Sequence, residues 1–204
     1  MLPSSPAPIL LPTGWDGEVF VDPPGHRRDI DVILTGDMSY PPNRQAAQWL
    51  AAEILPRMLE RRSNTTAWIV GRHADRVSFR GIKTAANVPD LHAFLRRAKV
   101  ALVPVKGAGS PFKTIEAAAN GAAVVGFAWT VECYGMAATV ASTADEFAAG
   151  ALGLLESEDL RCRQVHAARP AVLRHSSEEL ASRLEAILEE AAFGTRSEHV
   201  QVGR

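Results

Sequence analysis

Short apolar runs that stop at a glycine most restrict what this chain can fold into. Uninterrupted runs of about four to eight residues rich in Val and Ile are typical of strands buried on both faces of a parallel sheet. The chain has four such runs and one weaker candidate. They are Ile30–Thr35 before Gly36, residues 65–70 before Gly71, residues 100–105, residues 123–127 and, more weakly, residues 77–79.

Segments with helical periodicity separate these runs. The first spans residues 43–54, with Asn43 as the expected cap, and Pro56 should bend or restart it. Further helices are expected at residues 90–97, at residues 114–120, after the capping-box pair Thr143 and Glu146, and after the similar pair Ser176 and Glu179. Each parallel connection needs a crossover helix. The alternation therefore predicts an α/β fold, a doubly wound, mainly parallel, Rossmann-like sheet.

The length of 204 residues fits one such domain with additional segments. Residues 1–28 are rich in Pro and Gly and are interpreted as a linker or strap. Residues 29–193 form the predicted domain, and the polar residues 194–204 are expected to be a disordered tail.

Charge and composition exclude several function classes. The 22 basic and 23 acidic residues give a net charge of -1, which disfavours nucleic acid as the main partner. No uncharged run reaches the roughly 20 apolar residues of a membrane span, and the start lacks the basic region of an export signal. We therefore expect no membrane span and a cytoplasmic location.

The cysteines and histidines predict no metal site. Cys133 and Cys162 lack the paired spacing of a zinc site and are expected to be buried or half-buried thiols. The six histidines are scattered, and none forms a His-x-x-x-His pair.

Ligands of doubly wound sheets bind beyond the carboxyl ends of the strands, so the loops after the strands are the candidate site. The strongest signal is residues 106–125, KGAGSPFKTIEAAANGAAVV. Gly107 and Gly109 allow close backbone approach, and Ser110 precedes a helix whose N-terminus and Lys113 favour a phosphate. Glu116, one turn further, suits a ribose diol. The alternative is a tight turn with a solvated Lys113–Glu116 pair worth about 0.2–0.5 kcal/mol.

This stretch resembles the donor-site segment of GT-B glycosyltransferases of the family 4 type, in which a Gly-x-Gly loop precedes Asn-Lys-(Ile/Leu)-Leu-Glu-Ala. The matching positions are Gly107, Gly109, Lys113, Ile115, Glu116 and Ala117. Further segments resemble the same family in order. They are residues 11–20 (LPTGWDGEVF), 33–43 (ILTGDMSYPPN), 68–72 (WIVGR) and 87–91 (NVPDL).

The resemblance implies that this chain is the carboxyl-terminal half of a GT-B enzyme, which binds a nucleotide-sugar donor. It further implies transfer with retention, a nucleoside-diphosphate sugar as substrate, and neither a metal nor another cofactor. Lys113 would be the catalytic residue. The donor-binding residues implied are Gly36, Arg72, Gly107, Gly109, Ser110, Lys113, Thr114 and Glu116.

The resemblance also implies partners. The expected partner is an amino-terminal acceptor-binding half, or a second copy of the chain, which contacts the linker face and the last helix. The chain would then be an isolated half or one product of a split gene. The alternative function is a non-catalytic nucleotide-binding or partner subunit derived from such a half.

Several positions depart from the family pattern. Ala108 stands where many members carry a second Glu, and Pro111 and Phe112 replace more polar residues before the Lys. The loop after the first strand offers Asp37, Met38 and Asn43 instead of an Arg and a Lys, which leaves Lys113 and Arg72 to neutralise the diphosphate.

Other candidates keep two interpretations each. Arg72 reaches the diphosphate or is simply solvated. Trp129, Glu132 and Tyr134 line a sugar pocket or form a turn with buried aromatic rings. Asp31 and Asp37 suggest a phospho-acceptor pocket, but the loop after the next strand reads Gly71-Arg72-His73 and lacks the Asp that such a pocket requires.

Overall fold

The fold is a six-stranded parallel sheet with helices on both faces, and the expected doubly wound α/β class is confirmed. The computed structural model describes residues 14–23, 26–107 and 111–193. The strand order is β3-β2-β1-β4-β5-β6. The chain adds β2 and β3 on one side of β1 and then returns to add β4, β5 and β6 on the other side, so the switch point lies between β1 and β4. The strands are β1 (Ile30–Thr35), β2 (Ala67–Gly71), β3 (Ile82–Ala86), β4 (Ala98–Val103), β5 (Ala123–Gly126) and β6 (Thr139–Val140).

The eight α-helices of the described residues follow the strands as crossovers or pack at the end of the chain. They are α1 (Pro41–Trp49), α2 (Leu55–Arg61), α3 (Leu91–Arg97), α4 (Phe112–Ala119), α5 (Ala128–Glu132), α6 (Ala144–Glu156), α7 (Glu158–Arg174) and α8 (Ser177–Phe193). A π-helical turn, Leu50–Ile54, joins α1 to α2, and Pro56 lies in the first turn of α2. The predicted restart at this proline is therefore observed.

Alternate residues of the strands build two core layers. Leu34 of β1 and Leu102 of β4 pack with one layer, and their neighbours Ile33 and Ala101 pack with the other. Successive side chains of a strand point to opposite faces, so runs that are apolar throughout fill both layers. This is why β1, β4 and β5 are buried along their whole length or nearly so.

The structure corrects several sequence expectations. The third strand is Ile82–Ala86 and not residues 77–79, because β3 is an edge strand whose half-exposed sequence IKTAA carries little apolar signal. The helix α1 begins at Pro41, so Asn43 is not its cap but lies inside it. Helix α7 is absent from the sequence prediction, and Cys133 and Cys162 are exposed.

Residues 14–23, which belong to the expected strap, run along α4 from the carboxyl end of the sheet to its amino end. The Trp15 N–H donates to the carbonyl of His175, and the Trp15 carbonyl accepts from Ser177 at the start of α8. Further along, the Phe20 N–H donates to the carbonyl of Ala119, the last residue of α4. The predicted bounds of strap, domain and tail stay predictions, and residues 1–13 and 194–204 lie outside the described residues.

Candidate functional site

The carboxyl ends of β1 and β2 meet in a close backbone contact. Gly36 and Gly71 directly follow or end these strands, with positive φ angles of 151° and 143°. A Cβ atom on Gly71 would overlap the Gly36 carbonyl, so a side chain there would push the two loops apart. Glycine at both positions therefore lets the loops after β1 and β2 pack together, next to the switch point between β1 and β4.

Lys113 lies on the first turn of α4 and points toward the loop after β1. Its Nζ donates to Asn43 Oδ1 over 2.6 Å, and Asn43 Nδ2 donates in turn to the carbonyl of Asp37. Burial lowers the pKa of Lys113 from 10.5 to about 8, although Glu116 opposes this shift. Lys113 is therefore a half-buried ammonium group held by a neutral amide.

Glu116 lies one turn further along α4, and a different element holds its carboxylate. His92 Nε2 of α3 is 3.2 Å from Glu116 Oε1, and the Glu116 side chain is 14% exposed. Burial raises the pKa of Glu116, against the opposing effects of His92 and Lys113. Lys113 and Glu116 are thus each held by a separate neighbour rather than by one another.

A third charged group, Asp37, occupies the loop after β1. Its carboxylate accepts from the Ser39 N–H at 2.8 Å and contacts His73 Nδ1 at 2.9 Å and Arg72 Nε at 3.3 Å. The hydrogen bonds from Ser39 and His73 hold the pKa of Asp37 well below its usual range. Arg72 therefore reaches this edge of the sheet already paired with a carboxylate.

The predicted site residues fall into three groups. Gly36, Arg72, Gly107, Lys113 and Glu116 lie together at the carboxyl edge of the sheet. Gly109 and Ser110 lie outside the described residues. Thr114 is fully buried, and its hydroxyl finds no hydrogen-bond partner among the residues described.

Sequence reasoning missed His92 and the Asn43–Lys113 contact. His92 belongs to no motif, because it comes to Glu116 from a helix 24 residues earlier in the chain. Asn43 was expected at a helix cap, and its contact with Lys113 spans 70 residues. No spacing along one chain reports contacts of this kind.

The two aromatic residues after β5 separate in the structure. Trp129 of α5 is 38% exposed, whereas Tyr134 is buried and its ring stands edge-on to His175 at 5.1 Å. Glu132, the last residue of α5, is exposed. Tyr134 therefore belongs to the core, and Trp129 and Glu132 are the members of this group at the surface.

A cavity at the other end of the sheet is larger than the recess at the carboxyl edge. This groove, of about 440 Å³, is lined by Phe20, Arg28, Lys99, Gly121, Arg161 and Val165 among others. A smaller recess of about 260 Å³ lies at the carboxyl edge, beside Trp49 and Lys106. The candidate site is the carboxyl edge and not the larger groove, because the charged groups described above lie at that edge and ligands of such sheets bind beyond the carboxyl ends of the strands.

Comparison with known proteins gives the family. The family model for glycosyl transferases group 1 matches residues 29–157, which is more than half of the chain. The chain belongs to the group 1 glycosyl transferases. This confirms the resemblance to GT-B glycosyltransferases that residues 107–117 indicate. No curated protein matches the sequence.

Solved structures of longer proteins share the fold of this chain. The GtfA/B complex is similar at a TM-score of 0.68 and 13% identity over 87% of the chain. A TarM variant from S. aureus, in complex with fondaparinux, α-GlcNAc-glycerol and UDP, gives 0.65 and 14% over 83%. The pneumococcal O-GlcNAc transferase GtfA, in complex with UDP and GlcNAc, gives 0.63 and 14% over 85%. The chain spans only 37% to 39% of these three proteins.

The described residues show neither a membrane-spanning helix nor a metal-binding cluster. None of the described helices is both long and apolar enough to cross a membrane. Within the same residues, no group of three or more His, Cys, Asp or Glu side chains is placed to hold a metal ion.

Proposed function

We propose that this domain binds the nucleoside diphosphate part of a nucleotide-sugar donor at the carboxyl edge of its sheet, for glycosyl transfer with retention. The observation that carries the proposal is the pair Lys113 and Glu116. These two groups of opposite charge lie half-buried on one helix face, and each is held by a neighbour that does not fully neutralise it. Perturbed titratable groups of this kind cluster at functional sites.

Each group suits one part of the ligand. The Lys113 ammonium group and the N-terminus of α4 favour an anionic diphosphate. The Glu116 carboxylate accepts hydrogen bonds from the two hydroxyls of a ribose. With a pKa of about 8, Lys113 is already mostly protonated at neutral pH, and a diphosphate next to it raises that pKa and favours the charged form further.

The same arrangement accounts for leaving-group departure in the proposed transfer. The diphosphate gains negative charge as its bond to the sugar breaks, and a cation that is already in place stabilises that charge. Lys113 is fixed by Asn43 before the ligand arrives, so little reorganisation is needed during the reaction. Two similar proteins support the ligand class, because the pneumococcal GtfA and the TarM variant are both in complex with UDP.

A non-catalytic partner subunit is the second candidate, and one observation favours it. Leu184 and Leu188 of α8 are 43% and 59% exposed, and lie one helical turn apart. Large exposed apolar side chains on one helix face are typical of a surface that another polypeptide covers. This candidate predicts a stable complex with a second polypeptide and no response of the Lys113 and Glu116 variants to nucleotide.

Calorimetric titration with UDP, GDP, ADP and dTDP tests the proposal. We expect one of these to bind, and we expect Lys113→Ala and Glu116→Gln each to weaken that binding about tenfold or more, the cost of a hydrogen bond to a charged group. Lys83→Ala, which removes an exposed lysine from the edge strand β3, is the matched control. The proposal fails if no nucleoside diphosphate binds, or if both site variants bind like the control.

A further inference from the structure

His92 lies between the strap and the helix that carries Glu116. On one side its Nε2 is 3.2 Å from Glu116 Oε1. On the other side its ring centroid is 5.0 Å from that of Trp15, which is 3% exposed and also contacts Phe112 at 6.1 Å. The imidazole is therefore held by packing on one face and by a carboxylate at its edge.

The Glu116 carboxylate needs a hydrogen-bond donor where it lies. A half-buried carboxylate without a donor loses its charge, because burial favours the neutral form. Among the residues described, His92 is the side chain that contacts this carboxylate within hydrogen-bond distance. The contact uses Oε1, and no side chain of the described residues contacts Oε2, which leaves the lone pairs of Oε2 for a ligand.

We propose that His92 is a positioning residue for the nucleotide site: its Nε2–H holds the Glu116 carboxylate ionised and in one orientation, ready to accept hydrogen bonds from a ribose diol. The ribose part of this inference rests on the proposed function. The contact with His92 itself does not. The site then selects ribonucleoside over 2′-deoxyribonucleoside diphosphates, because a deoxyribose leaves one acceptor of the buried carboxylate unpaired.

The other groups around the contact between His92 and Glu116 do not replace His92 as a hydrogen-bond donor. Lys113, on the same helix, also favours the ionised form of Glu116. Arg96 follows one turn after His92 on α3, but its Nε donates to Asn120 Oδ1 at 3.2 Å. From the strap, Trp15 presents a ring without charge. His92 is thus the group whose removal changes the donor to Glu116 and leaves the other charges in place.

Two variants separate the donor from the packing. His92→Phe keeps an aromatic ring against Trp15 and removes the N–H, whereas His92→Gln restores an N–H donor. The first measurement uses the chain without nucleotide and follows the Glu116 carboxyl carbon by NMR as the pH changes. We expect the pKa of Glu116 to rise in His92→Phe and to return toward the wild-type value in His92→Gln. An unchanged Glu116 titration in His92→Phe overturns the inference.

The second measurement compares affinities for the tightest-binding of UDP, GDP and ADP and for its 2′-deoxy form. We expect the wild type to prefer the ribonucleotide by about tenfold, the value of one hydrogen bond to a charged acceptor. His92→Phe should lose most of this preference, His92→Gln should recover part of it, and both should bind inorganic pyrophosphate like the wild type. A His92→Phe variant that keeps the full preference also overturns the inference.

The two measurements distinguish this inference from the proposed function. A wild-type chain that binds no nucleoside diphosphate overturns the proposed function together with the ribose selection. The NMR titration still decides in that case whether His92 holds the Glu116 carboxylate. Thermal unfolding followed by circular dichroism accompanies both. If His92→Phe does not fold, His92→Leu, which also removes the N–H, takes its place, and an unchanged Glu116 titration in that variant overturns the inference.

Discussion

The two ends of the sheet each hold a carboxylate that is nearly out of water, and the protein treats them differently. At the amino end, the Asp31 side chain is 6% exposed and contacts Lys99 Nζ at 2.8 Å and Arg62 Nη1 at 3.1 Å. At the carboxyl end, the Glu116 side chain is 14% exposed and contacts the His92 imidazole at 3.2 Å. Burial is the largest effect on both, yet the pKa of Asp31 is lowered and that of Glu116 is raised.

The difference is one of counter-charge. Lys99, Arg62 and the Thr66 N–H supply Asp31 with two cations and a backbone donor, which outweigh the cost of burying it. The carboxyl end buries an ammonium group and a carboxylate whose hydrogen-bond partners do not outweigh that cost. Local arrangements that oppose stability are expected at functional sites. The contrast between the two ends therefore supports a ligand at the carboxyl end.

Removing Asp31 should have the largest effect on stability. Asp31→Ala leaves Lys99 and Arg62 without their carboxylate, and breaking a buried ion pair in this way costs about 3–5 kcal/mol. Both cations are about a quarter exposed and can turn toward water, so we expect a loss of about 2–4 kcal/mol. Urea unfolding of the variant and the wild type at pH 7 measures the difference.

The pH dependence of this effect has a definite sign. The pKa of Asp31 lies below its ordinary value of 3.8, so its contribution is present above that pH and is lost as the pH falls through the folded value. The control is Asp29→Ala, which breaks the exposed pair with Arg97 and should cost no more than about 1 kcal/mol. Nucleotide affinity should be unchanged in both variants. If Asp31→Ala and Asp29→Ala lose the same free energy of unfolding, the buried ion pairs of Asp31 contribute no more than the exposed pair of Asp29.

Removing Lys113 should have the opposite effect on stability. Lys113→Met keeps the length of the side chain and removes a charge whose burial opposes folding, so we expect a gain of about 1–3 kcal/mol at pH 7. The pKa of Lys113 is 10.5 when exposed and about 8 in the fold. Between these values the unfolded chain binds more protons, so the wild type gains stability as the pH rises. The gap between variant and wild type should close from pH 8 to pH 10.5.

Urea unfolding at pH 7 and pH 10.5 measures this gap, and Lys83→Met on the exposed edge strand is the control. A Lys113→Met variant that is less stable than the wild type at pH 7 would mean that the buried charge of Lys113 is compensated in the fold, as that of Asp31 is at the amino end. The contact of Lys113 with Asn43 would then be a net stabilising interaction.

The fold could be predicted from the sequence where burial on both faces imposes a continuous pattern. The strands β1, β4 and β5 are such cases, and so is the capping box of Thr143 and Glu146 at the start of α6. The edge strand β3 was missed because its residues are half-buried or exposed, so its sequence lacks the continuous apolar run of a central strand. Helix α7 was missed because its sequence, EDLRCRQVHAARPAVLR, has no continuous apolar stripe and carries Pro170 in its interior; it buries little more than Ala168, Ala171 and Val172.

The candidate site could be predicted only as far as the loops that follow the strands. Lys113 and Glu116 share one helix, so their spacing alone places them on one face. The partners of these residues come from elsewhere in the chain. Asn43 and His92 lie 70 and 24 residues away, and no local pattern reports which side chain meets them. Asp37 departs from the family pattern already in the sequence, but its pairing with Arg72 follows only from the contact between the loops after β1 and β2.

Neutralising Asp37 should have the smallest effect of the three substitutions, and this effect is on ligand affinity rather than on stability. This carboxylate has an arginine beside it, with Arg72 Nε at 3.3 Å, and it also contacts the His73 ring. In Asp37→Asn the amide oxygen still accepts from the Ser39 N–H, while Arg72 is released and repulsion of a diphosphate disappears. We expect nucleoside diphosphate affinity to rise about two- to fivefold, within the range of exposed ion pairs.

Calorimetry at low and high salt measures this change, because interactions between exposed charges are screened by salt. The matched control is Asp159→Asn, which removes the same charge from the exposed pair with Arg163 on α7 and should leave affinity unchanged. A rise in Asp37→Asn that vanishes at high salt would place the diphosphate beside Arg72. A fall in affinity would instead mean that the Asp37 carboxylate is needed to hold the loop after β1 in its binding conformation, and the site would then depend on this acid as it depends on Glu116.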